Sequence, residues 1–223
     1  MNRPTQRQGR SPRNGSASPK ERVLKVACQV FARRGFDGSH IREICELAGV
    51  NIAALCYYFH SKEGLYAAVQ AEARQKLSGA AASAHHDDDR ASPPERLQAA
   101  IASLFATLST DSAWVAHLLA CELADNTNTS RGLVGDALRP HLVLIESFLR
   151  EAAGRQVDHD SLRLAAHALV SQCIFFCAAS TALPRIFPQL PARALRPEAL
   201  IAHLSQYSVV GFHPCQETPP GAQ

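Results

Sequence analysis

Four short amphipathic runs, each opened by a capping residue or closed by a glycine, crowd into about sixty residues near the N-terminus. The first begins at Pro19 and sets Val23, Ala27, Val30 and Phe31 at i, i+4, i+7 and i+8 until Gly35 stops it. The second follows Ser39, a suitable N-cap, and places Ile41, Ile44, Cys45 and Ala48 on one face before Gly49. A third runs from about residue 51 to 58. The fourth starts near Ser61 and continues through Leu65, Val69 and Ala73 toward Gly79. Two short helices joined by Ala48, Gly49 and Val50 and braced by another have the sequence form of a helix-turn-helix. Gly49 permits the tight backbone, and Ile44, Val50, Leu55 and Phe59 can lock the angle between the helices.

Beyond this head the pattern stays helical. Ala80–Ser92 loses the periodicity and, with His85, His86, Asp87, Asp88 and Asp89, reads as a loop between domains. Ser92, Pro93, Pro94 and Glu95 then form the clearest start signal in the chain, followed by Leu97, Ile101, Leu104, Phe105 and Leu108 on one face. Further helices are expected at 112–124, 130–153, 160–182 ended by Pro184, and 197–211, with Pro140 kinking or splitting the second of these. The resulting fold class is all-α: an N-terminal helix-turn-helix DNA-binding domain of three helices plus a larger helical ligand-binding and dimerisation domain. The expected boundaries are a disordered basic arm at 1–19, the head at 20–66 with a connecting helix to about 79, the body at 80–213, and a disordered tail at 214–223.

The net charge of +3 is small for a nucleic-acid binder, so its placement matters more than its size. Arg3, Arg7, Arg10, Arg13 and Lys20 lie in the first twenty residues, which contain no acid. No apolar stretch precedes Val23, so an export signal is not expected and a cytoplasmic location is. Seven cysteines without a C-x-x-C pair suit reduced thiols serving as small core residues. Leu164–Leu183 carries no formal charge and is long enough to span a bilayer, but His167, Ser171, Gln172, Ser180 and Thr181 suit a core or subunit-interface helix better. No membrane partner is expected.

The segment from Val23 to Leu65, above all AGVNIAALCYYFHSKEGLY at Ala48–Tyr66, resembles the TetR family of bacterial repressors. Tyr57, Phe59, Ser61, Lys62, Glu63 and Leu65 match the family's Y-x-F-x-S-K-E-x-L signature. The chain departs from the commonest form with Asn51 for Ser, Ala53 for Gly and Tyr58 for His. Leu118–His141 and Leu169–Ser180 are similar to the CerR/CecR branch, although the prolines usual around Asp125–Thr129 are absent. The resemblance implies a homodimer packed through the helices at 160–182 and 197–211. It also implies a double-stranded operator DNA partner and a small-molecule effector that releases it.

In such a head the exposed side chains of the recognition helix touch base edges while cations and helix N-termini hold phosphates. Ser39, His40 and Arg42 are candidate phosphate contacts. Asn51 can meet a phosphate or base, Tyr57 and Tyr58 offer hydroxyl donors, and Lys62 offers a cation. Ile52, Ala53 and Ala54 lack polar groups, so contact with thymine methyls is their main specific option. Phe59 reads as core. For Tyr57 a core ring, and for Lys62 a solvated cap, stand as alternatives.

Candidate ligand contacts in the body are Phe105, Trp114, His117, Leu118, Cys121, His141, Ile145, Gln172 and Phe176, which equally could be plain core. No metal site or cofactor is expected: His85–Asp89 reads as a solvated linker, and the i, i+4 pairs His117/Cys121 and Cys173/Cys177 as buried side chains. No Walker A loop, G-x-S-x-G elbow or H-E-x-x-H occurs, so the chain is not expected to be an enzyme. The rival readings are a helical enzyme or ligand-binding module with a decorative head, and a protein that binds DNA without sequence preference.

Overall fold

Ser18 opens the first helix through a reciprocal pair of hydrogen bonds. Its hydroxyl accepts from the Glu21 N–H at 3.2 Å, and its own N–H donates to Glu21 Oε2 at 2.8 Å. With Pro19 at the first helical position this capping box starts α1 (Pro19–Arg34). The computed structural model describes residues 17–85, 91–109, 112–124, 131–153 and 157–210. Residues 1–16 of the arm, His86–Asp89 of the linker and the tail lie outside the described residues.

The remaining helices are α2 (Ile41–Ala48), α3 (Ile52–Phe59), α4 (Lys62–His85), α5 (Pro93–Ser109), α6 (Ala113–Ala124), α7 (Arg131–Ala153), α8 (His159–Ala178), α9 (Leu183–Ile186) and α10 (Pro197–Val210). A 3₁₀ turn at Ala192–Leu195 leads into α10, and no strand occurs among the described residues. Head and body are not separate bodies: one apolar cluster runs from Val23 in α1 to Leu204 in α10. The joint is made by α1 lying along α6 and by α4, which leaves the head and packs on α5 and α7. Burying that shared apolar surface favours a fixed seating of the head on the body.

Three expectations change. Helix α4 does not stop near Gly79 but continues to His85, because the alanine-rich segment keeps helix propensity, Ala80 and Ala81 are buried, and Ser103 Oγ donates to the Ala80 carbonyl at 2.8 Å. Pro140 does not split α7, which runs through it with Ala137, Leu138, His141, Leu144 and Ile145 held in the core around it. Helix α8 ends at Ala178 rather than at Pro184, and Pro184 instead sits in the first turn of α9, where its missing N–H is harmless.

Helix α8 is the one described helix long and apolar enough to cross a bilayer. Its stripe of Leu162, Ala166, Leu169, Val170, Cys173, Ile174 and Cys177 is buried, with α6, α7 and α5 as neighbours. Cys28, Cys45, Cys173 and Cys177 are free buried thiols. Burial, with Glu72 nearby, pushes the Cys28 thiol up to about 12, and burial raises Cys173 as well, so neither is a thiolate.

Candidate nucleic-acid interface

The turn between α2 and α3 rests on Gly49, which takes the left-handed conformation at φ 63° and ψ 43°. Its N–H and that of Val50 both reach back to the Cys45 carbonyl and close α2. Arg22 of α1 adds a brace by donating through Nε to the Ala48 carbonyl at 3.2 Å, setting a cation on the negative end of α2. Ile44, Leu55 and Phe59 are buried behind the turn, as their spacing predicts.

Helix α3 is capped by Asn51, whose Oδ1 accepts from the Ala54 N–H at 2.7 Å. Once Leu55 and Phe59 turn inward, Ile52, Ala53, Cys56 and Tyr57 face outward with Asn51 and His60 at the ends, and Ala54 is half-exposed. Tyr57 is 78% exposed, which removes the reading of it as a core ring, whereas Tyr58 is half-buried and meets Tyr57 edge-on at 5.1 Å. Cys56 and His60 share the outward face although sequence reasoning named neither of them as a contact. The spacing of Ile52, Cys56 and His60 at i, i+4 and i+8 was the available signal.

The neighbouring helix starts bring His40 and the cation Arg42 on α2 and the cation Lys62 on α4. Lys62 is not merely a solvated cap, since its ammonium lies 4.5 Å from the centre of the Phe36 ring. Ser39 departs from expectation. Its side chain is buried and its hydroxyl donates to the Gly35 carbonyl at 2.6 Å, so the cap of α2 passes to His40 and Ser39 presents no hydroxyl to a phosphate.

The body residues named as candidate ligand contacts are placed as follows. Phe105, Leu118 and Ile145 are core. His141 is buried too, with Nε2 bonded to the Leu77 carbonyl of α4 at 2.9 Å, and burial holds its imidazole below the ordinary value. Cys121 donates its thiol to the Ala32 carbonyl of α1, while Gln172 and half-buried Phe176 lie on α8. Trp114 and His117 line a cavity against α1. Among the described residues no three histidine, cysteine, aspartate or glutamate side chains gather as metal ligands.

Two residues that sequence reasoning passed over join α4 to α6. Tyr66 Oη and Gln70 Nε2 each donate to Glu122 Oε1 at 2.8 Å, inside the protein. Their separations of 56 and 52 residues left no local signal.

Residues 23–69 match the family model for bacterial regulatory proteins of the tetR family, and residues 93–212, more than half of the chain, match that for the C-terminal domain of the HTH-type transcriptional dual regulator CecR. The HTH-type transcriptional regulator RutR of Escherichia coli strain K12 is 46% identical over 53 residues, 24% of this chain and 25% of its own length. The HTH-type transcriptional repressor NicS of Pseudomonas putida is 39% identical over 67 residues, 26% of this chain and 32% of its own. The chain thus spans between a quarter and a third of these curated relatives. Similar folds extend much further. The Bacillus subtilis transcriptional regulator FadR, solved with stearoyl-CoA, has a TM-score of 0.63 at 20% identity over 86% of this chain and 98% of that one. A bacterial regulatory protein of the tetR family from Rhodococcus RHA1 has a TM-score of 0.66 at 20% identity, covering 87% and 97%. With its head and body each matched in order along the chain, the protein belongs to the TetR family of bacterial transcriptional regulators, in its CecR type.

Proposed function

We propose that the protein is a repressor that binds operator DNA as a homodimer and leaves it when a small-molecule effector binds. The observation that carries this reading is the outward face of α3. A helix-turn-helix with a braced turn presents Ile52, Ala53, Cys56 and Tyr57 to solvent with Arg42 and Lys62 beside them. Leaving Ile52 and Tyr57 in water contributes nothing to the fold, whereas a major groove offers thymine methyls to the one and phosphate oxygens to the other.

The dimer reading is supported by α8, which keeps an uncharged outer stripe of Ser161, Leu164, Ala168, Ser171 and Phe175 at spacings of three and four, with Tyr207 of α10 beside it. Leu164 and Phe175 are more than half exposed, as a face covered by a second copy would leave them. Two heads joined there would read half-sites about 34–36 Å apart. In the cell such a protein works in the cytoplasm, where DNA and reduced thiols coexist.

The test is a titration against random genomic fragments at rising salt. A repressor keeps a preference for one or a few fragments after the rest are released, because counterion release weakens all backbone binding alike. A uniform collapse with no preferred fragment would show binding without sequence preference and overturn the proposal.

A further inference from the structure

Trp114, the single tryptophan of the chain, stands where two cavities meet between head and body. The larger, about 700 Å³, is lined by Arg22, Lys25 and Gln29 of α1, Leu47 of α2, Lys76 of α4 and Trp114 of α6. The smaller, about 320 Å³, continues past Gln29 and Trp114 to Arg33, His117 and Thr181. Together they form one trough along α1, with sizes inside the range of small-molecule sites.

Its charges are unevenly committed. Glu21 is held by the Ser18 N–H, Glu72 lies 3.8 Å from Lys76, and Arg22 is used by the Ala48 and Ala17 carbonyls. Lys25 and Arg33 are exposed, and among the described residues neither has an ion-pair partner. They stand two turns apart on α1 with Gln29 between them, so Lys25 lines one cavity and Arg33 the other, while Gln29 and the largely buried Trp114 line both.

We propose that this trough is a binding site for a small aromatic carboxylate, its ring against Trp114 and its carboxylate on Lys25 or Arg33. A ligand there touches α1 of the head and α6 of the body at once, and so resists any motion of one against the other. That this motion changes operator affinity rests on the repressor reading above. The binding itself does not.

The experiment follows Trp114 fluorescence of the full chain during titration with 4-nitrobenzoate, a contact quencher, and with its uncharged amide. Saturable quenching by the carboxylate is expected, at least tenfold weaker for the amide and at least tenfold weaker in Lys25→Glu/Arg33→Glu. The milder pair Lys25→Gln/Arg33→Gln, checked by circular dichroism, serves if charge reversal disturbs the fold. Quenching that never saturates, equal binding of the amide, or an unchanged dissociation constant in the charge variants would overturn the site. A chain that binds 4-nitrobenzoate as expected but selects no operator would overturn the repressor reading and leave the site standing.

Discussion

Tyr66 Oη donates a hydrogen bond of 2.8 Å to Glu122 Oε1, tying the helix that leaves the head to a buried carboxylate of the body. The tyrosine ring packs edge-on against Phe31 at 4.9 Å and Phe36 at 5.0 Å. Phe36 in turn carries the Lys62 ammonium on its face. An unbroken set of contacts thus leads from a cation at the proposed DNA surface to the last turn of α6. A shift of α6 against α4 cannot leave Lys62 undisturbed, because packed side chains transmit displacement rather than absorb it.

Tyr66→Phe keeps the ring and removes the donor, leaving the buried carboxylate short of one hydrogen bond. A loss of about 1–3 kcal/mol is expected in urea unfolding, since a buried acceptor cannot turn to water instead. In a double-mutant cycle with Glu122→Gln the two changes should couple by at least about 0.5 kcal/mol. Strict additivity would show that the bond contributes nothing specific.

On the proposed reading, Lys62→Ala removes one phosphate contact from each head. Across a dimer, the slope of log affinity against log salt should fall in magnitude by about two, with similar weakening on all sequences. Tyr57→Phe should cost about 1 kcal/mol per head, and neither change should alter helical content or dimerisation. Fluorescence anisotropy on an operator fragment at several salt concentrations separates the two effects, and unchanged affinity in both variants would remove these residues from the interface.

Where a neighbouring residue decides the structure, the sequence was readable. Gly49 closes α2, and Ser92 with Glu95 opens α5, each through bonds spanning three or four residues; the Asn51 cap on α3 is equally local but was not among the caps read from the sequence. Ser39 misled because the N-cap position of α2 falls one residue later, at His40, while the buried Ser39 hydroxyl turns back to donate to the Gly35 carbonyl. The overrun of α4 past Gly79 is settled by Ser103 and by burial of Ala80 and Ala81, neither visible in a helix pattern read alone. The same limit applies to the Tyr66–Glu122 junction and to the trough beside Trp114, which exist only once α1 and α6 are side by side. The periodicity that marked Phe105, Leu118 and Ile145 as inward-facing was sound, but it does not distinguish a packed interior from a ligand site.

His141 sets a pH limit on the body. Its folded imidazole titrates below the ordinary value because burial disfavours the charged form, against a smaller opposing effect of the Leu77 carbonyl. The unfolded chain therefore takes up the proton first as pH falls, and stability is lost from about pH 6.5 downward, toward the depressed folded value. Urea midpoints measured between neutral and mildly acidic pH should show this decline, and His141→Leu should flatten it. A slope that survives the substitution would assign the effect to other groups.

Phe175→Glu places a charge at the C-terminal end of the uncharged stripe on α8, and the fold of the single chain, which leaves Phe175 more than half exposed, should be undisturbed. Burying an unpaired carboxylate at a subunit interface costs about 3 kcal/mol or more, and a symmetric dimer would bury two, so the dimer dissociation constant should rise about ten-thousandfold. Sedimentation at several concentrations reads this directly. Operator affinity should fall with it, because the two half-sites would no longer be bound by one linked pair of heads.

Gly49 and Gly64 flank the recognition helix, and replacing each by alanine should have unequal consequences. At Gly49 nothing lies within 4 Å of a built Cβ, so the cost is that of holding φ 63° without glycine, about 1–2 kcal/mol. At Gly64 a Cβ would collide with the Phe59 carbonyl oxygen, so the backbone between α3 and α4 would have to shift. Gly64→Ala should therefore cost more, about 3 kcal/mol, and should weaken operator binding beyond its effect on stability, because Phe59 ends the helix that carries Tyr57. Thermal unfolding and operator anisotropy on both variants give the comparison. Equal losses in the two would show that the close approach of Gly64 to Phe59 does not hold the recognition helix in place.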